Sequence, residues 1–199
     1  MNRYIEFFGL PGSGKSTATD QLLRDRPSLS LVKKAATPWK RIAFVLPEII
    51  RRPGFAWWLI HRSQKSWRES RELFGVLVDI YITYAYLRKP GTIVCQHGFI
   101  QILTQCAFIR RQALENDLFL QEYIARIPKR DCHYIYLQVS PETARSRDMA
   151  RKGAIAWKTF QESEKILDEA AKHISCETVD GEQPQNTVRK SLLAKKYIR

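Results

Sequence analysis

Residues Tyr4–Thr17 read "YIEFFGLPGSGKST", and no other stretch limits the fold of this 199-residue chain so sharply. A β-branched and aromatic run predicts a strand over its first half. A glycine-rich turn follows, and "STATDQLLRDR" continues with helical spacing that puts Leu22 and Leu23 on a buried side. Together they fill G-x-x-x-x-G-K-[ST] with Gly9, Gly14, Lys15 and Ser16 in the strand–turn–helix context that the motif requires. Glycines at 9, 12 and 14 let the backbone wrap round a chain of phosphates and aim N–H groups at it. The helix starting near Gly14 adds its positive end. Lys15 can reach the terminal phosphates as a mobile cation, and the Ser16 hydroxyl can join a Mg²⁺ shell. Gly12, Ser13, Gly14, Lys15, Ser16 and Thr17 are therefore the expected nucleotide-binding residues, with ATP and Mg²⁺ as the expected cofactors.

Strand and helix patterns alternate through the rest of the chain. "LSLVKK" (29–34) predicts a short second strand. A basic, aromatic-rich region from Pro38 to His61 follows, which Pro47, Pro53 and Gly54 are expected to divide into short helices. Trp67–Leu87 predicts a long helix, charged in its first two turns and apolar on nearly every side afterwards, with Asp79 inside the buried part. The strand "TIVCQ" follows at once. Two helices are expected within 99–127 and a strand over 132–140. Ser140 then caps a helix with Pro141 at its first position. A helix over 157–173, a strand over 175–180 and a last helix complete the pattern. Such alternation predicts an α/β fold: one domain over 1–199 with a central parallel five-stranded sheet and helices on both faces.

The formal charge, 33 − 20 = +13, favours anionic partners such as nucleotides or phosphorylated metabolites. Arg and Lys are spread along the chain, so no nucleic-acid partner is expected. The four cysteines contain no C-x-x-C pair and read as reduced core thiols of a cytoplasmic protein. No leader is expected, and "GFAWWLI" (54–60) is far shorter than the roughly 20 residues of a membrane span. The region 41–62 nevertheless mixes apolar, Trp and basic residues as interfacial segments do, so contact with a membrane surface stays open. Monomer and homodimer are equally compatible with the sequence.

Four patches carry a resemblance to the P-loop kinases, and within them to the thymidylate kinase and nucleoside monophosphate kinase group. They are the loop at 9–17, the helix and strand over 71–98, "LQVSPETARSRDMARKG" (137–153) and "TVDGEQPQNTV" (178–188). The resemblance implies a helical acceptor-side insertion over about 38–88 and a small helical lid over about 141–157. It places Arg145, Arg147 and Arg151 in the lid, where arginines close on the moving phosphate. It places Asp180 in a loop against the nucleotide base. Asp79 would stand on the acceptor side, with Arg71 replacing the arginine the family often has beside it. A solvated basic face, a plain turn and a buried, paired aspartate are the structural alternatives for these residues.

The departure is at Gln96-His97, where thymidylate kinases have Asp-Arg. Gln96 can still orient a Mg²⁺-bound water while His97 acts as a pH-dependent cation toward the acceptor. Alternatively, His97 is a general base for a hydroxyl acceptor, or catalysis is lost. The expected activity is phosphoryl transfer from ATP to a small molecule, foremost a nucleoside monophosphate or similar phosphate-bearing compound. A sugar or small-alcohol kinase and a non-catalytic nucleotide-binding module are the alternatives.

Overall fold

The computed structural model describes residues 3–32, 38–63, 67–110, 114–149 and 157–195. Strand β1 (Arg3–Phe8) runs into α1 (Lys15–Asp25), and β2 (Ser30–Leu31) precedes α2 (Pro38–Arg51), α3 (Pro53–Ser63) and α4 (Trp67–Leu87). β3 (Thr92–Cys95), α5 (Phe99–Arg110), a short 3-10 turn, α6 (Leu118–Arg126) and β4 (Cys132–Gln138) follow. The chain continues through α7 (Pro141–Met149), α8 (Trp157–His173), β5 (Cys176–Asp180) and α9 (Gln185–Leu193). All five strands pair in parallel in the order β2-β3-β1-β4-β5, so the first strand is the central one.

Alternation along β1 explains the layers. Tyr4, Glu6 and Phe8 point to one face and Ile5 and Phe7 to the other, and all five are buried. The Tyr4–Phe8 face meets the larger core, in which Tyr81, Phe99, Tyr134 and Phe160 are buried. The Ile5–Phe7 face packs with Val94 and Ile135 against Ala18 and Leu22 of α1 and Val188 and Leu192 of α9. Helices on both faces are thus required by a sheet apolar on both sides.

Two local expectations differ from what forms. Pro47 does not divide its segment, because α2 runs through it. The proline removes one backbone donor, but Ala43, whose carbonyl loses that bond, and Pro47 are both exposed, so water can serve the orphaned group. β2 is shorter than expected, although Val32 N–H still donates to the Val94 carbonyl at 2.9 Å. Ser140 caps α7 as expected, its Oγ accepting from the Thr143 N–H at 3.3 Å.

Candidate active site

The carboxyl edge of β1 opens into the phosphate loop, and the helices around it explain the glycine pattern. Gly12 has φ +80°, and a Cβ there would collide with the Ala144 carbonyl of α7. The loop and the helix after β4 are therefore in backbone contact. Lys15 lies back along the loop, its Nζ donating to the carbonyls of Gly9 and Leu10, each at 2.7 Å. Burial lowers its pKa to about 8, and Asp148 of α7 partly offsets the effect.

Beside the loop lies a cavity of about 410 Å³ between the start of α1, α7 and the β5–α9 turn. Ser13, Gly14 and Thr17 line its loop side, with Gln21, Arg147 and Gln183 around it. Arg147 Nη1 donates to the Gly181 carbonyl at 2.9 Å, tying α7 to that turn. Asp180 shapes the turn: Oδ1 accepts from the Glu182 N–H at 2.8 Å and Oδ2 from the Gln183 amide at 2.9 Å. Those bonds hold its carboxyl below the ordinary range. Glu182 in turn accepts from the Ser140 N–H at 2.9 Å, so the β4–α7 and β5–α9 turns are joined.

The second half of the site lies at the end of β3. Ser16 Oγ donates to Gln96 Oε1 at 3.2 Å, which brings the motif serine and the departing glutamine together. His97 is half-buried, and its Nε2 meets the Gln105 amide nitrogen of α5 at 2.9 Å. Beneath this turn is a residue the motif reading passed over. The buried Glu6 carboxylate accepts from the N–H groups of Ile100 and Gln101 at 2.9 and 3.2 Å and from the Tyr4 hydroxyl at 3.1 Å. It thus caps α5 at the point where β3 hands over to the helix. Burial raises its pKa to about 7, against the opposing pull of the helix amides. A Cβ on Gly98 would lie 2.5 Å from Glu6 Oε2, so only glycine fits over the buried carboxylate. An acidic residue inside "YIEFF" was the available signal.

The remaining expected residues divide plainly. Arg145 is half-buried on α7, and Asp79 is half-buried midway along α4. Arg151 and the side chain of Arg71 lie outside the described residues. In the aromatic segment, Trp58 is a packing residue: it stacks on Phe119 and donates to Glu122. All four cysteines are free thiols. Among the described residues no helix is long and apolar enough to cross a membrane.

No protein-family model and no curated protein matches the chain. Solved structures do. A deoxyadenosine kinase from M. mycoides with bound dATP superposes with a TM-score of 0.61 at 15% identity, covering 96% of this chain and 97% of that one. Its dCTP-bound structure gives 0.59 at 14% identity, and its structure with dCMP and a flexible dCDP gives 0.56 at 17%, each covering 96% of both chains. The chain shares the fold of these deoxyadenosine kinase structures.

Proposed function

We propose that the chain is an ATP- and Mg²⁺-dependent phosphotransferase whose acceptor is a small phosphate-bearing molecule, foremost a nucleoside monophosphate. One arrangement carries this reading: the loop that holds Lys15 runs along a cavity of about 410 Å³ lined by Gly12, Ser13, Gly14 and Thr17, and the Ser16 hydroxyl beside Lys15 donates to Gln96. Donor phosphates would replace the Gly9 and Leu10 carbonyls as partners of the Lys15 ammonium, while the α1 N-terminus supplies backbone N–H groups. Arg147 would sit over the transferring group, with Arg145 and Arg151 as further lid cations. Asp180 positions the base-side turn, and Arg71 and Asp79 face the acceptor side in this reading.

The Ser16 and Gln96 oxygens form a hard, neutral donor pair suited to Mg²⁺ with phosphate and water filling its other positions. When bound, the ion neutralises charge along the phosphate chain.

A phosphate acceptor brings its own nucleophilic oxygen. The Gln105 amide nitrogen faces His97 Nε2, so this ring nitrogen is already engaged, which weighs against a general base there. The second reading, a hydroxyl acceptor such as a nucleoside or sugar, is favoured by the likeness to deoxyadenosine kinase. A screen with γ-labelled ATP separates the two. Stimulation of turnover by nucleoside monophosphates supports the first reading, and stimulation by nucleosides or sugars alone overturns it. No turnover with any acceptor, beside intact ATP binding, would make the chain a nucleotide-binding module.

A further inference from the structure

The elements after β2 carry exposed apolar side chains that the proposed nucleotide site does not use. Three of the large exposed apolar side chains of the described residues lie here: Leu46 at 51% exposure and Ile50 at 69% on α2, and Trp57 at 67% on α3. Leu46 and Ile50 stand one turn apart on the same face. Residues 50–54, the end of α2, the joining Arg52 and the start of α3, are exposed throughout.

Charge on this corner is one-sided. Residues 38–63 contain Lys40, Arg41, Arg51, Arg52 and Arg62 against one acidic residue, Glu48. Glu48 is buried and bonded to both Arg51, at 3.1 Å, and Arg88, at 2.8 Å, so it presents no negative charge outward.

The corner has a defined place in the fold. Tyr81 Oη donates to the Arg52 carbonyl at 2.8 Å, and the Arg52 guanidinium lies 4.4 Å from the centre of the Tyr84 ring. Tyr84 is in the last turn of α4, which ends just before β3. Gly91, at the foot of β3, accepts from the Arg3 N–H at the start of β1. The corner therefore sits toward the amino edge of the sheet, and the phosphate loop opens at the carboxyl edge.

We propose that the α2–α3 corner is a docking surface for an anionic phospholipid bilayer. Leu46, Ile50 and the Trp57 ring enter the interface, and the exposed Arg51 and Arg52, which rest on Glu48 and Tyr84, meet lipid phosphates. Charge selects this occupant. A second copy of the chain, related by a two-fold axis, would set the same basic face against itself. Nucleic acid would leave the aliphatic pair without a partner. Because the corner and the phosphate loop lie at opposite edges, docking leaves the nucleotide site open to the aqueous side of the interface, whatever the acceptor.

Flotation of the full chain with vesicles of phosphatidylcholine alone, or mixed with phosphatidylserine, tests this. The expected result at low salt is recovery with the mixed vesicles only, weakened by added salt. A double variant, I50S/W57S, should lower vesicle affinity by at least about tenfold through the loss of buried apolar surface. ATP affinity, read by calorimetry, should not change, which shows that the variant is folded. Failure to float with phosphatidylserine vesicles overturns the proposal, as does equal flotation of the double variant. A concentration-dependent dimer that the variant abolishes, without flotation, would assign the face to a second copy instead.

Discussion

The two halves of the site are built differently. The half proposed for the nucleotide is largely backbone: a loop closed on α7 at Gly12 and carbonyls that hold Lys15, beside a turn that the Asp180 carboxylate locks. The half proposed for the acceptor is made of side chains meeting from distant elements, His97 with Gln105 and Glu6 under the α5 amides, and the Ser16–Gln96 contact joins it to the loop. A backbone site requires particular residue types at fixed spacing. A side-chain site can be assembled in many ways, so its members vary without leaving a pattern. If this contrast holds, damage to one half should spare the other.

The largest expected effect is Lys15→Ala, which should weaken ATP by at least about 100-fold in calorimetry, the loss expected for a charge-assisted contact in a partly buried site. Undiminished affinity would remove the nucleotide half from the comparison altogether. Next comes Gly98→Ala, whose methyl must displace the Tyr4 hydroxyl and the Glu6 carboxylate bonded to it. We expect a loss of about 2–4 kcal/mol in denaturant unfolding, with ATP affinity held within about threefold. A parallel collapse of ATP affinity would show that the halves are not separable.

Glu6 gives a third test, through pH. Its carboxyl keeps a proton in the folded state up to about pH 7, whereas the unfolded chain releases it near 4.5. Between those values the folded state binds more protons, so wild-type stability should fall as pH rises. The fall should reach roughly 3 kcal/mol, and Glu6→Gln should abolish that slope. An unchanged slope would mean the carboxyl is not what the buried turn titrates.

A last test also concerns Lys15. Above about pH 8 the free protein sheds its proton, and a triphosphate complex must take one up. ATP affinity should therefore decline between about pH 8 and 10, by about tenfold per unit at most. A flat profile would place the phosphates away from the ammonium.

The same contrast explains what could be read from the sequence. The five strands, their parallel pairing, and the helices Trp67–Leu87 and Trp157–His173 followed from periodicity and from stop signals such as Pro90-Gly91. The loop was legible because Gly12 and Lys15 answer to geometry that few residues satisfy. Pro47 misled because the cost of a helical proline depends on whether its orphaned carbonyl reaches water, which a sequence does not display. The α5 cap was missed because Glu6 and Ile100 are 94 positions apart, and only the pairing of β1 beside β3 brings them together.

That placement of β1 has a consequence for how the molecule comes into being. Strand β1 is made before both of its neighbours, β3 and β4, yet lies at the centre of the sheet. The loop it carries is closed by Ala144 and joined through Arg147 to Gly181. During synthesis, a growing chain that has only just passed β3 has one flank of β1 covered and the loop still unframed. The loop, although its motif lies within residues 4–17, is framed only by residues as distant in sequence as Ala144 and Gly181, so its surroundings are completed late in synthesis.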